Sequence, residues 1–226
     1  MNWEDEGYLL SKRKFRENAN IVNVFTNSFG KVSGIVYGGN SRKIRNYLQI
    51  SNKIFVFYSS KNQNNIGYFK TELVEAISPK YFNNKNKTSA LLSLTSLLNL
   101  LLPDSQSYKN IYSSLENLIK NFNQERWDSL YIKWELNLIK ELGFDADLEQ
   151  FKKEHSLNDK KILNLNIDGA KYQVPRFLIS NDYNQEIESD LTKKALIFTR
   201  SLMLNKFFLP NNLNFPKSRI LLENYF

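Results

Sequence analysis

The residues of this 226-residue chain best suited to chemistry are cations grouped at the ends of apolar runs. Lys12, Arg13, Lys14 and Arg16 close one run, Lys31 opens another, and Arg42, Lys43 and Arg45 follow the turn Gly38-Gly39-Asn40-Ser41. Such a row of charges tracks a phosphate backbone, because each phosphate neutralised releases condensed counterion. Aromatic residues lie among them: Tyr8, Phe15, Phe29, Tyr37 and Tyr47. An exposed ring stacks on a base, worth about 1–3 kcal/mol per base. The plainer roles are also open, since most strand aromatics are core residues and basic strand ends often only solubilise. The candidate DNA-contacting set is Lys12, Arg13, Arg16, Lys31, Tyr37, Arg42, Lys43 and Arg45.

Other constellations are weaker. Asp145, Asp147 and Glu149 form a D-x-D-x-E run that would hold Mg²⁺ in a nuclease. They also follow a helix-ending glycine, Gly143, where acidic residues favour the start of the next helix. No companion lysine or second acidic motif stands at an obvious spacing. The single histidine, His155, sits in the charged stretch KKEHSLNDKK and reads as solvated. Gly38-Gly39 lacks the spacing of a P-loop or a dinucleotide fingerprint and reads as a turn. With no cysteine there are no disulfides, thiolate nucleophiles, Fe–S clusters or cysteine-ligated zinc. The expectation is a protein that is not an enzyme, with no catalytic residue, no cofactor and no metal.

The elements that must position the cations change character near residue 80. Before it, runs rich in Val, Ile, Tyr and Phe cover Gly7–Phe15, Ala19–Thr26, Lys31–Tyr37, Leu48–Tyr58 and Ile66–Ser78. Turn-forming pieces separate them, among them Glu17-Asn18, Asn27–Gly30 and 62–65. Lys53–Tyr58 alternates less cleanly and reads as buried on both sides. Five strands in so short a stretch suit a small closed barrel, because closure removes exposed edges. After it, apolar residues recur every three to four positions. One helix, capped by Thr88 or Ser89, runs to a stop at Pro103; others cover Ser107–Phe122, Arg126–Leu142 and Glu188–Phe207. Ile162–Ile167 forms a short hairpin turning at Asp168-Gly169. The expected architecture is α+β: a five-stranded barrel domain over 1–80, then a mainly helical domain with a small hairpin over 81–226.

The formal net charge is +8, and it is unevenly shared. Residues 1–82 hold 12 Lys/Arg against 6 Asp/Glu, while residues 83–226 hold 19 against 17. A codon bias toward Lys and Asn would spread the charge evenly; its concentration on the strands marks the half that meets a polyanion. The start, MNWEDEG, is acidic where an export signal is basic, and the longest apolar run, Leu97–Leu102, is broken by Asn99. A cytoplasmic, nucleoid-associated protein with no membrane partner is expected.

Several motifs in order resemble one family. W-x-D-E-G-Y-L-L-S-K-R (Trp3–Arg13), Glu17, I-V-N-V-F-T (Ile21–Thr26), F-G-K-V-S-G-I-V-Y-G (Phe29–Gly38), Ser41-Arg42-Lys43 and F-K-T-E-L-V-E-A (Phe69–Ala76) look like the N-terminal domain of the RecO family of DNA repair proteins. Trp127, Y-I-K-W-E-L-N-L-I-K-E-L-G-F (Tyr131–Phe144) and Phe215–Arg219 are similar to its helical part. The resemblance implies an OB-fold followed by a helical domain. It implies an ATP-independent recombination mediator that binds single- and double-stranded DNA and anneals complementary strands. It implies that, with RecR, the protein helps load recombinase onto DNA coated by single-strand-binding protein, whose acidic C-terminal tail it contacts. Arg126, Lys133, Lys140 and Arg200 are candidates for the rim of a tail pocket. Two other readings stand beside it: a plain OB-fold RNA- or DNA-binding module without annealing, and a metal-dependent nuclease using Asp145, Asp147 and Glu149.

One departure separates this chain from the pattern. Many members carry a four-cysteine zinc module after the Gly-Phe. Here Asp145–Tyr172 contains no cysteine, with Phe151 near where one is expected. The hairpin at Ile162–Ile167 must then be held by packing.

Overall fold

The computed structural model describes residues 1–61, 66–152, 160–180 and 188–226. The turn expected at 62–65 and His155 lie outside the described residues. The chain divides into two compact units, one of residues 1–112 with 216–222, the other of residues 113–215 with 223–226.

In the first unit, β1 (Asn2–Arg16), β2 (Ala19–Thr26), β3 (Gly30–Tyr37), β4 (Lys53–Ser59) and β5 (Gly67–Glu75) form a closed barrel in the order β1-β2-β3-β5-β4. This is the five-stranded barrel expected, with two revisions. β1 begins at Asn2 rather than Gly7, because its first half pairs with β4 from Asn2↔Ser59 to Tyr8↔Lys53. β4 begins at Lys53 rather than Leu48, because residues Arg42–Tyr47 form a short helix, α1. Ser41 caps α1 by accepting from the Ile44 N–H at 3.4 Å. A bulge in β1 explains three consecutive buried residues: Leu9 pairs with Val24 and Ser11 with Asn23, so Leu10 is extra and Tyr8, Leu9 and Leu10 all turn from solvent.

Barrel closure rests on a short parallel pairing, Gly34↔Gly67 and Ile35↔Tyr68. A Cβ on Gly34 would lie 2.2 Å from the Phe69 ring, and one on Gly67 would lie 2.4 Å from the Tyr58 ring. Two facing glycines therefore let the aromatic core reach the seam. That core joins Leu9, Val22, Val24, Val36, Ile54 and Val56, with Trp3 stacked on Phe29 at 4.1 Å and on Tyr58 at 4.8 Å. Outside the barrel, α2 (Lys85–Leu101) is capped by Asn84, whose side chain accepts from the Lys87 N–H, not by Thr88 or Ser89. Asn99 on α2 accepts from Asn23 on β2 at 2.7 Å, and Ser218 at the chain end donates to Ser96 or accepts from it at 3.2 Å. The tail packs: Arg219 and Leu222 are fully buried.

α3 (Lys109–Lys120) carries the division between the units. The second unit continues with α4 (Trp127–Glu141), whose end is marked by Gly143 donating to the Lys140 carbonyl at 2.9 Å. The hairpin β6 (Ile162–Ile167) and β7 (Ala170–Pro175) turns at Asp168 and Gly169, both with positive φ, as a type I′ turn requires. It leads into α5 (Arg176–Ser180) and α6 (Ser189–Met203). The helix expected over Glu188–Phe207 is α-helical only to Met203; Leu204–Phe208 winds on as a π turn, and a further short helix, α7, covers Lys217–Glu223. The hairpin is held by packing. Leu163, Leu165, Ile167 and Val174 are buried, Tyr172 meets Phe198 edge-on at 5.7 Å, and Asn205 donates to the Tyr172 hydroxyl at 2.9 Å. A cysteine-ligated zinc is excluded, since the chain has no cysteine.

Candidate nucleic-acid interface

Backbone and amide bonds tie the separate basic clusters to one end of the barrel. Gly38 donates to the Asn18 carbonyl at 2.8 Å, Asn40 to the Glu17 carbonyl at 2.9 Å, and Asn20 to Asn40 at 3.1 Å. The β1–β2 turn therefore sits against the loop that begins α1. Arg13, Lys14 and Arg16 precede that turn, and Arg42, Lys43 and Arg45 follow that loop. All six are exposed, and among the described residues none has a carboxylate within ion-pair reach. Lys12 belongs to the same end but turns inward. Its ammonium donates to the Leu48 carbonyl at 2.7 Å, and burial, then repulsion from Arg45, hold its pKa below the ordinary lysine value.

The register carries this cationic ridge across the sheet. Arg13 pairs with Ile21, Ile21 with Ile35, and Ile35 with Tyr68, so these four share the outer face in one transverse row. Arg16, Ala19 and Tyr37 form the next row. Tyr37 and Tyr68 stack at 5.5 Å with their planes 20° apart, and they are 54% and 42% exposed. Beyond them lies a groove of about 1120 Å³ between the end of β3, α1 and strands β4 and β5. Trp3, Tyr37, Phe57, Tyr58, Tyr68 and Phe69 line it. Lys43 and Lys70 border it, and so do Glu4 and Glu72. Lys70 lies over the Phe57 ring at 5.7 Å.

Two expectations need correction. Lys31 does not join the ridge. It is 9% exposed, donates to the Asn99 carbonyl at 2.8 Å and pairs with Asp104 at 3.1 Å, because α2 covers that part of the barrel. β4 is not buried on both sides: Phe57 is 36% exposed. Of the five aromatics first considered, Tyr37 and Tyr47 line the groove, with the Tyr47 hydroxyl donating to the Thr71 carbonyl at 2.7 Å. Tyr8 is buried against Tyr112, Phe29 lies in the barrel stack, and Phe15 is exposed under the Arg16 guanidinium. Phe57, Tyr58, Tyr68 and Lys70 were not legible as site residues. The available signal was the alternation Tyr68, Lys70, Glu72 against Phe69, Thr71, which marks an outward face on β5.

The acidic run does not converge. Asp145 pairs with Lys140 at 2.7 Å, which with the Asp147 N–H holds its carboxyl below the usual range. Glu149 pairs with Lys152 at 3.1 Å. Among the described residues no three acidic or histidine side chains gather as metal ligands would. Of the tail-pocket candidates, Lys140 is engaged as above and Arg200 pairs with Glu223 at 3.1 Å. Lys133 and Lys140 border a recess of about 260 Å³ over Leu136 and Ile139, which Asp145, Asp147 and Glu149 also line. Among the described residues no helix is long and apolar enough to cross a membrane.

Comparison with known proteins gives a consistent result. Residues 1–77 match the family model for the recombination protein O N terminal domain, and residues 83–185 that for its C terminal domain. A protein of Roseobacter denitrificans named DNA repair protein RecO is 33% identical over 150 residues, 66% of this chain and 62% of that protein. Its namesake in Wolbachia pipientis of Culex pipiens is 32% identical over 152 residues, with the same coverage of 66% and 62%. This chain thus spans less than two thirds of the length of these relatives. The namesake in Rickettsia rickettsii is 30% identical over 224 residues, 94% of this chain and 93% of that protein. A likeness to Entamoeba histolytica asparaginyl-tRNA synthetase covers 96% of this chain and 60% of that one at 10% identity, and its TM-score of 0.31 carries nothing.

Proposed function

This chain belongs to the RecO family, and from that premise we propose that it is a non-catalytic DNA repair protein that binds DNA through the barrel. On this reading it anneals complementary single strands without ATP. With RecR, it helps load recombinase onto DNA coated by single-strand-binding protein, whose acidic C-terminal tail it contacts. The observation that supports the reading is the exposure of Arg13, Arg16, Arg42, Lys43 and Arg45 on either side of the bonds between the β1–β2 turn and the loop before α1.

The chemistry is electrostatic. Two complementary strands repel each other, and a cationic ridge lowers that repulsion while holding both backbones close. Phosphate contacts position a strand but carry no sequence information, so such a ridge serves any pair of complements. Arginine suits it, since its planar fork meets phosphate with two donors. The near-neutral helical unit leaves room for protein partners.

The test is annealing of complementary strands coated with single-strand-binding protein, followed for the intact chain and for the combined Arg42→Ala, Lys43→Ala, Arg45→Ala variant. Annealing by the intact chain that the variant loses supports the reading. Binding without annealing assigns the chain to a plain OB-fold module. Cleavage in Mg²⁺ that is lost in Asp147→Ala assigns it to the nucleases.

A further inference from the structure

Strand β2 breaks its own pattern at one position. Asn20, Val22 and Val24 share one face of it, since alternate residues of a strand point the same way. Val22 and Val24 belong to the barrel core, and so does Val36, opposite Asn20 on β3. An aliphatic residue suits this place, yet the chain has a carboxamide there, 3% exposed. A buried amide is costly unless it is bonded. Asn20 directs its amide to a loop: it donates to the Asn40 carboxamide oxygen at 3.1 Å, and Asn40 donates in turn to the Glu17 carbonyl at 2.9 Å. Gly39 lies against the same group, where a Cβ would stand 2.4 Å from Asn20 Nδ2. Arg13, Lys14 and Arg16 precede Glu17 in the chain, and Arg42, Lys43 and Arg45 follow Asn40.

We infer that Asn20 and Asn40 are positioning residues of the DNA interface: their paired carboxamides hold the loop before α1 against the β1–β2 turn, so that a strand meets Arg42, Lys43 and Arg45 already ordered. The inference rests on the DNA-binding reading above and adds to its site two uncharged residues, which a search for charge does not find. A loosened loop would carry the same cations, but binding would have to order it first, and that ordering lowers affinity. Valine at position 20 would continue the core of Val22, Val24 and Val36 and remove a buried polar group. Asparagine there runs against stability, and departures of that kind gather at functional sites. The buried amide also has one geometry in which it is satisfied, which is what fixing a loop in a single arrangement requires.

The experiment compares the full chain with Asn20→Val and Asn40→Ala, which leave every charge in place. Binding to a labelled thymidine strand is followed by fluorescence anisotropy, at a fixed salt low enough for the weakest variant to bind. Both variants should bind about threefold to tenfold more weakly than the intact chain. Their thermal melts should move apart: level or upward for Asn20→Val, which replaces a buried amide with a fitting aliphatic, and downward for Asn40→Ala, which leaves the Asn20 amide without its acceptor. A loss of affinity common to both then has no source in stability. In the combined Arg42→Ala, Lys43→Ala, Arg45→Ala background, Asn20→Val and Asn40→Ala should each cost nothing further, because the loop no longer carries cations to position. Asn40 is exposed, so Asn40→Ala keeps the test open where valine overfills position 20. Unaltered affinity in a folded variant overturns the inference. So does a loss that persists in full in the combined background. No binding by the intact chain overturns instead the DNA-binding reading beneath it.

Discussion

Lys31 and Asp104 form an ion pair of 3.1 Å in which the lysine is almost enclosed and the aspartate is open to solvent. The same ammonium donates to the Asn99 carbonyl at 2.8 Å, and the Lys31 carbonyl accepts from the Ser105 N–H at 2.8 Å. Lys31 is thus a fastener between β3 and the end of α2, inside the first unit. Lys31→Ala should lower stability by about 1–3 kcal/mol, since it leaves a part-buried acceptor without its donor. It should leave the salt dependence of DNA binding unaltered. Chemical denaturation and a salt titration read the two effects separately; a flattened salt slope would return Lys31 to the ridge.

The ridge makes the opposite prediction. Arg42→Ala, Lys43→Ala and Arg45→Ala together should weaken single-strand binding steeply at low salt. The slope of log affinity against log salt should fall by about 2, at roughly 0.7 per phosphate contact on a single strand. The melting temperature should hardly move, because none of the three is buried. Unaltered affinity would remove α1 from the interface.

Closure of the barrel depends on Gly34 and Gly67. Gly34→Ala drives a methyl group to 2.2 Å from the Phe69 ring, so the ring or the strand must shift. A cost of about 1–3 kcal/mol is expected from overpacking. Thermal unfolding checks it.

Lys12 offers a pH test. Burial first, then Arg45, lower its pKa, so at high pH the folded chain gives up this proton before the unfolded chain does. Between the lowered value and the ordinary 10.5, the unfolded state holds more protons. Lys12 therefore makes stability rise with pH across that window, and its cost is fully present below the lowered value. Arg45→Ala should raise the Lys12 pKa part of the way back, leaving the burial contribution. NMR titration of the Lys12 side chain measures it; no movement would place Arg45 too far away to matter.

The hairpin of the second unit should not depend on metal. A chelator should leave the melting temperature unchanged, whereas Leu165→Ala should cost about 2–5 kcal/mol, as a buried leucine truncation does. A chelator-induced drop in melting temperature would contradict a hairpin held by Tyr172, Phe198 and their neighbours.

Strands and helices were legible because alternation and helical periodicity are local. β2 and β3 stand almost where Val, Ile and Phe mark them, and the buried face of α3 is the one its spacing indicates, from Ile111 to Ile119. The start of β4 was not legible, since Leu48 is apolar for another reason: it is a core residue just beyond α1. The cap of α2 was misplaced because Asn84, Thr88 and Ser89 are all competent caps, and only the backbone turn selects among them.

By itself, the sequence determined the number of strands, the concentration of charge on them and the impossibility of a cysteine-ligated metal, since each follows from residue type or local pattern. Tertiary structure decided which cations stay exposed. Asn18, Asn20 and Asn40 tie together the turn after Arg16 and the loop before Arg42, while Lys31, chemically their equal, is withdrawn under α2. It also decided the groove, because alternation tells which face of a strand a ring occupies but not which strand lies beside it. Tyr37 and Tyr68 become neighbours only when β3 and β5 close the barrel at Gly34 and Gly67.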